Sequence, residues 1–310
     1  MSQPAGEAAT HLVVGMDAGG TKLAVQAETL GGALVTSVEL TAQEWEATPA
    51  ADAAAWLDRQ LRSVVPPGAV VLSVGVGGQG CNTPDTCTEL ERALAVRGLP
   101  ATVVNDGALL IPAAGLDTGI GIISGTGSVG IGFDSSGSIL RAGGWGWVLG
   151  DDGGAAAIVR EAVRAALLSH DSGLPDDGLL AALAAVYAVS SAEELARAVN
   201  DEPTVANWAP HAPAVFAAAD AGSARAAAVI VAAADALTDL VSRLVARGAV
   251  GPAVVAAGSV ITRQPRLSRA FAEALGRRHP DLQFRVLDQS PVTGAVVLAR
   301  RRLSAQRPIG

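Results

Sequence analysis

Val14-Gly15-Met16-Asp17-Ala18-Gly19-Gly20-Thr21-Lys22 ends an apolar run with an acid, two glycines, a hydroxyl residue and the only lysine of the chain. A second apolar run, Leu23-Ala24-Val25, follows at once. Two apolar runs joined through glycine predict a β-hairpin whose turn lets backbone approach a ligand closely. With no side chains at Gly19 and Gly20, the turn's N–H groups can point at phosphate oxygens, and Asp17 can face a metal ion. Taken alone, the run reads equally well as an ordinary tight turn with a surface lysine, because short glycine motifs recur by chance.

Outward from this turn, residues 12–39 alternate apolar strands with glycine turns and predict a three-stranded antiparallel meander. A helix is expected over 50–65, stopped by Pro66-Pro67-Gly68, then a buried strand over 69–75. A helix over 86–97 and a short strand over 101–104 deliver Asn105-Asp106-Gly107, and 108–114 begins another helix. Then the pattern restarts. Strand 119–124, turn Gly125-Thr126-Gly127, strand 128–133, turn Ser135-Ser136-Gly137 and strand 138–142 repeat the order of the first meander. The repetition implies an internal duplication: two related α/β domains facing each other, with their phosphate turns converging on a cleft.

The remainder predicts helices over 155–170, 176–187 and 192–199, and a long pair within 203–247. A buried strand over 253–257 runs into Gly258-Ser259, followed by a helix over 264–278 and a last strand over 283–287. Pro291 opens a final helix ending in Arg300-Arg301-Arg302, a basic run expected to be a solvated helix end.

Composition narrows the classes of function. Half of the 310 residues are hydrophobic, enough for two cores, but only 3% are aromatic, so the cores should interleave small side chains. The net charge of −8 and the absence of an arginine cluster with interleaved aromatics argue against nucleic acid as a partner. Two cysteines, Cys81 and Cys87, cannot make a disulfide scaffold or a four-thiolate metal site, and a reducing cytoplasm fits them best. Residues 1–10 lack the basic-then-apolar order of a signal peptide and are expected to be disordered. No apolar segment reaches the roughly 20 residues that span a membrane. The expectation is a soluble intracellular protein.

Three further segments carry candidate chemistry. Ser124-Gly125-Thr126-Gly127-Ser128 occupies the duplicated position of the first turn, with hydroxyls and backbone amides suited to the other side of a triphosphate. Asp106 stands at the carboxyl end of a strand, where α/β folds collect catalytic groups; a structural cap for the next helix is the competing reading. Ala142 to Gly154 places two of the five tryptophans and six glycines in thirteen positions. Such a loop either plugs a hydrophobic hinge or suits a sugar, with its apolar face and hydroxyl rim.

Together and in order, the Asp-x-Gly-Gly-Thr-Lys turn, Asn105-Asp106-Gly107, Ser124 to Ser128, the Gly-Gly-Trp-Gly-x-x-x-Gly-Asp loop, Ala257-Gly258-Ser259-Val260 and the Pro-x-x-Gly-Ala helix start resemble a known group. This is the N-acetylglucosamine kinase branch of the BadF/BadG/BcrA/BcrD ATPase family, within the superfamily of actin, sugar kinases and heat-shock chaperone ATPases. The resemblance covers about residues 13–299. It implies an α/β, duplicated actin-like ATPase (ribonuclease H-like) fold of two domains with a central ATP and sugar cleft. The N-terminal domain would span 11–112 and be completed by the C-terminal helix at about 290–305; the C-terminal domain would span 113–289.

The resemblance also implies transfer of the γ-phosphoryl group of ATP to the 6-hydroxyl of an amino sugar. Asp106 would be the base, and Asp17 would position Mg2+ through water. Gly19, Gly20, Thr21, Lys22, Gly125, Thr126, Gly127 and Ser128 would hold phosphates, and Gly258 and Ser259 would sit at the adenosine. Gln43, Gly78, Asp106, Gly144, Trp145 and Asp151 would meet the sugar, with Gly77 beside Gly78. A homodimer is what the resemblance suggests. One departure stands out: the family places an asparagine in a Ser-Thr-Asn-His-Trp stretch, whereas this chain has Thr41-Ala42-Gln43-Glu44-Trp45. The resemblance implies N-acetylglucosamine or glucosamine as the acceptor; because Gln43 is a methylene longer and Glu44 could bring negative charge near a free amine, the departure points to glucosamine or another sugar rather than N-acetylglucosamine. Two rival classes are a family ATPase that activates a radical dehydratase and a non-catalytic sensor. The activator needs cluster-binding cysteines after the second phosphate turn, and none follows Cys87. Kinases of the repressor-related family share the first turn but typically carry a Cys-rich zinc motif, absent here.

Overall fold

The computed structural model describes residues 10–305, so the expectation for residues 1–10 lies outside the described residues except at Thr10. The chain falls into two compact units, one running to Asp117 and resuming at Asp288, the other Thr118–Leu287.

The first unit opens with the meander β1 (His11–Ala18), β2 (Lys22–Thr29) and β3 (Leu34–Thr41). Helix α1 (Ala50–Val64) ends where Val65 turns to extended backbone ahead of Pro66, as the residue before proline must avoid the helical region. β4 (Val70–Gly78), α2 (Pro84–Val96), β5 (Ala101–Asn105), a 3-10 turn (Asp106–Leu109) and the short α3 (Leu110–Ala113) complete this part. Thr83 caps α2 by accepting from Thr86 N at 3.2 Å, and Pro84 fills the first turn, where no N–H is needed. The sheet order is β3-β2-β1-β4-β5, with β1, β4 and β5 parallel and the hairpins antiparallel.

The second unit repeats that order. β6 (Ile120–Ser124), β7 (Ser128–Phe133) and β8 (Ile139–Gly143) form the meander, and β6 pairs in parallel with β9 (Ala253–Ala257) and β9 with β10 (Gln283–Val286). The resulting order, β10-β9-β6-β7-β8, is the first sheet's arrangement element for element. The expected duplication is therefore present in the topology as well as in the turns. Between β8 and β9 lie α4 (Ala155–Asp171), α5 (Leu179–Val186), α6 (Ala192–Asn200), α7 (Val205–Trp208), a 3-10 turn (Ala209–His211), α8 (Ala212–Asp220) and α9 (Ala224–Ala246). After β9 come α10 (Ser259–Arg263) and α11 (Pro265–Arg278).

Several boundaries differ from the sequence reading. The expected pair within 203–247 is three helices and a 3-10 turn, because Pro210 and Pro213 interrupt the N–H ladder and Ser223 caps a new helix by accepting from Ala226 N at 3.1 Å. The helix expected from residue 176 starts at Leu179, since Asp176 accepts from Leu180 N at 3.0 Å and acts as a cap.

The last helix, α12 (Val292–Ala305), returns to the first unit. Gly15 of β1 and Gly75 of β4 are register partners, and both lie under it. A Cβ at Gly15 would stand 2.6 Å from Val296 N, and one at Gly75 would overlap the Ala295 carbonyl oxygen. The two glycines thus form a bare floor on which the α12 backbone rests. The arginines at its end are partly solvated, as expected, and are also tied back to the first unit. Arg300 donates to Glu28 at 2.6 Å and to the Thr29 and Leu30 carbonyls, and Arg301 pairs with Asp117 at 2.7 Å.

Candidate active site

In the first unit, the three parallel strands end level. Ala18 is the register partner of Gly78, and Gly78 of Asn105, so β1, β4 and β5 deliver their carboxyl ends side by side. Asp17, Gly77, Gly78 and Asp106 meet at this edge, the end of an α/β sheet where ligand groups collect. Asn105 shapes the corner: its Oδ1 accepts from Gly107 N at 3.0 Å and its Nδ2 donates to Asn82 Oδ1 at 2.9 Å. The cap of the 3-10 turn is therefore Asn105, and Asp106 is its first residue.

Burial, with the negative charge of Asp106 adding to it, raises the Asp17 carboxyl to about 7. Two carboxylates in poor solvent resist being ionised together. Magnesium is commonly bound by one or two carboxylates, with water and phosphate oxygens filling the other positions, and this pair fits that donor set. Among the described residues there is no group of three or more His, Cys, Asp or Glu that would form a closed metal cage.

The Gly19–Thr21 turn is closed by Gly19 N donating to Lys22 O at 3.0 Å, and Thr21 O accepts from Ala42 N at 3.0 Å. That second bond brings Gln43 and Glu44, both exposed, next to the turn. Lys22 pairs with Glu39 at 2.8 Å on the surface. The Gln79 side chain lies against Gly20: a Cβ there would stand 2.5 Å from its Oε1. Trp45 donates from Nε1 to the Gln79 carbonyl at 3.1 Å, and its ring approaches Gly78. Gln79, Asn82 and Trp45 did not stand out in the sequence as site residues. The register of β4 with β5 is what brings the segment after Gly78 to Asn105, and no local motif encodes it.

In the second unit, the Gly125-Thr126-Gly127 turn is built onto the start of α4. Gly125 O accepts from Ala155 N at 2.8 Å, and Thr126 O from Ala156 N at 3.3 Å. Ser124 and Ser128 donate from Oγ to the carbonyls of Gly153 and Asp152, each at 2.7 Å. These hydroxyls fasten the turn to the glycine-rich loop. Asp151 adopts φ 58° and presses its carboxylate on Gly127, where a Cβ would collide with it. Its Oδ1 is buried without a hydrogen-bond partner, and burial raises its pKa against the lowering effect of backbone donors at Gly146 and Ser128. Gly258, at φ 106°, packs on the Ser124 carbonyl so closely that a Cβ there would overlap it, and leads into exposed Ser259 beside Gly125.

The two tryptophans of the loop have different surroundings. Trp147 packs edge-on against Trp208, with ring centroids 5.0 Å apart, and so belongs to the packing of the second unit's own core. Trp145 is 72% exposed, with the Arg141 guanidinium 5.5 Å from its ring centre. Gly143 and Gly144 hold φ 73° and 69° behind it. Arg160 of α4 ties the far side of the loop, donating to the Trp147 carbonyl at 2.9 Å and to Asp152 at 2.8 Å. No helix among the described residues is long and apolar enough to cross a membrane.

Comparison with known proteins agrees with this architecture. The chain is 29% identical over 188 residues to an N-acetyl-D-glucosamine kinase of Dictyostelium discoideum, a stretch covering 58% of this chain and 59% of that protein. It is 44% identical over 71 residues, 22% of this chain and 23% of the other, to an N-acetylmuramic acid/N-acetylglucosamine kinase of Clostridium acetobutylicum. The chain thus matches less than two thirds of the length of either relative. A candidate N-acetylglucosamine kinase structure from Chromobacterium violaceum superposes with a TM-score of 0.68 at 21% identity, covering 93% of this chain and 98% of that one, and so shares the fold. Residues 14–299 match the BadF/BadG/BcrA/BcrD ATPase family, and the chain belongs to that family.

Proposed function

We propose that this protein is an ATP-dependent kinase that phosphorylates the 6-hydroxyl of an amino sugar, N-acetylglucosamine or glucosamine. The observation that carries the reading is Asp106 at the end of β5, beside Asp17 and braced through Asn105, in a chain whose curated relatives are named as N-acetylglucosamine kinases.

Asp106 accepts the proton of the attacking hydroxyl, a contribution of about 10²–10⁴ in rate for an oriented base. Asn105 holds the turn that carries it, so the carboxylate is placed before substrate arrives. Phosphoryl transfer otherwise needs positioning and charge neutralisation. In the first unit the backbone of Gly19, Gly20 and Thr21 binds phosphate, with Lys22 in an assisting role. In the second unit Gly125 to Ser128 do the same, and Gly258 with Ser259 accommodates the adenosine. Asp17, acting through water, would hold magnesium, which supplies positive charge to the phosphates when bound. Gln43 and Gly78 in the first unit, and Gly144, Trp145 and Asp151 in the second, contact the sugar. Trp145 offers an apolar face and Asp151 an acceptor for hydroxyls. We read the two units as the two ATPase domains of a cytoplasmic enzyme that acts on small molecules and not on nucleic acid.

The test is a panel of glucosamine, N-acetylglucosamine, N-acetylmannosamine, N-acetylmuramic acid and glucose, assayed by coupled ADP release. Stimulation by an amino sugar above glucose supports the proposal, and ADP release that no sugar stimulates overturns it.

A further inference from the structure

Cys81 and Cys87 are the only cysteines of the chain, and the fold places them together at the edge of the first unit's carboxylate site. Cys81 lies in the segment between β4 and α2, and Cys87 in the first turns of α2. The Cys87 thiol donates to the Cys81 carbonyl oxygen at 3.7 Å, which holds the two residues side by side, close enough for each sulfur to perturb the other. We propose that these residues form an oxidisable dithiol that a hydroperoxide-class oxidant converts to a disulfide, and that this change acts on the neighbouring sugar site.

The roles of the two sulfurs differ. Donation from the Cys81 thiol lowers the Cys87 pKa, helped by a backbone N–H and opposed by burial and Glu91. Cys81 is fully buried, and its bond to Cys87, burial and the charges of Cys87 and Asp106 push it up. Cys81 is fully buried and Cys87 is half-buried, so Cys87 is the sulfur a peroxide can reach and Cys81 the resolving thiol. Attack of the Cys87 thiolate on a peroxide oxygen breaks the O–O bond and gives a sulfenic acid and hydroxide. Cys81 sulfur then attacks the sulfenic sulfur, the S–S bond forms and a second hydroxide leaves, taking up the Cys81 proton as water. The sulfurs give up two electrons and the peroxide gains them.

The coupling follows from what surrounds Cys81. A Cβ at Gly78 would lie 2.8 Å from Cys81 Sγ and 3.1 Å from Trp45 Cζ2, so Cys81 and Trp45 pack side by side on the bare Gly78 backbone, and a sulfur drawn into a disulfide leaves that packing. The same segment carries Gln79, which receives the Trp45 bond, and Asn82, which receives the Asn105 bond next to Asp106.

The dithiol rests on the placement and burial of the two cysteines, and its effect on catalysis rests on the proposed kinase reading. The full chain, Cys81→Ser and Cys87→Ser are treated with hydrogen peroxide, digested under non-reducing conditions and weighed. A Cys81–Cys87 cross-linked peptide lighter by two hydrogens, absent in both variants, is expected. With the best sugar of the panel, oxidation should raise KM for the sugar by about tenfold or more, dithiothreitol should restore it, and Cys87→Ser should be indifferent to peroxide. Unchanged thiols, or Cys87 carrying added oxygen with no cross-link, overturns the dithiol. A cross-link with unaltered kinetics overturns the coupling. Failure of every sugar in the panel would sink the kinase reading and the coupling, while the cross-link still decides the dithiol.

Discussion

Asp17 and Asp106 stand close enough to repel one another: burial raises the Asp17 carboxyl to about 7, and the Asp106 charge adds to the rise. In the unfolded chain Asp17 titrates near 3.8. The folded state therefore holds a proton on Asp17 across a window in which the unfolded chain has released it. The stability that comes from protonated Asp17 is complete below about pH 4 and is lost as pH rises through about 7. The metal-free protein at pH 8 bears the full cost of ionising it, a few kcal/mol.

Replacing Asp17 by Asn removes that cost. The Asp17→Asn melting temperature should exceed that of the wild type by several degrees at pH 8 in the absence of magnesium, and the difference should shrink to nothing near pH 4. Thermal unfolding across pH measures it. The same variant should lose most phosphoryl transfer, because the acid that costs stability is the one proposed to meet the metal.

Asp106→Asn keeps size and polarity and removes the base. Sugar phosphorylation should fall by about 10²–10⁴, while calorimetry should show nucleotide binding within a few-fold of wild type. Loss of nucleotide binding in equal measure would assign Asp106 to holding the metal and not to the proton.

Lys22 bonds Glu39 with both side chains largely exposed, 70% and 64%. An exposed pair of this kind contributes about 0.5 kcal/mol or less. Lys22→Ala should leave the urea midpoint nearly unchanged and cost less than about tenfold in kcat/KM, under about 1.4 kcal/mol of transition-state stabilisation. A larger kinetic loss would make the lysine a principal phosphate ligand.

Gly75→Ala tests the seat of α12. Its methyl group would overlap the Ala295 carbonyl in backbone that has no flexible side chain to give way. Destabilisation of about 3 kcal/mol is expected, read as a lowered urea midpoint, whereas Gly98→Ala, at an open position with φ 77°, should cost only the strain of that conformation.

Much of this was legible residue by residue. The Gly19-Gly20-Thr21 and Gly125-Thr126-Gly127 turns, and the glycine turns that follow each, announce the two meanders because a turn's requirement for glycine is local. Asp106 could be placed at the end of a strand, and the loop at 142–154 marked as unusual, on the same grounds. The boundaries that went astray fell where prolines or caps divide apolar helical stretches, as at Pro210, Pro213 and Ser223. The ion pair at the helix end was not legible, because Arg300 finds Glu28 across 272 residues of sequence.

The duplicated order of strands and turns, the family resemblance, and the residues proposed for phosphate and sugar could all be read along the chain, since each depends on neighbours in sequence. Which of them meet depends on how the chain folds back on itself. Parallel pairing of β1, β4 and β5 sets Asp17 beside Asp106 and raises its pKa, and the floor of Gly15 and Gly75 admits α12. Packing divides the two loop tryptophans, setting a partly buried Trp147 against Trp208 and leaving Trp145 to solvent. Burial, register and charge proximity are sums over distant residues, and no local window contains them.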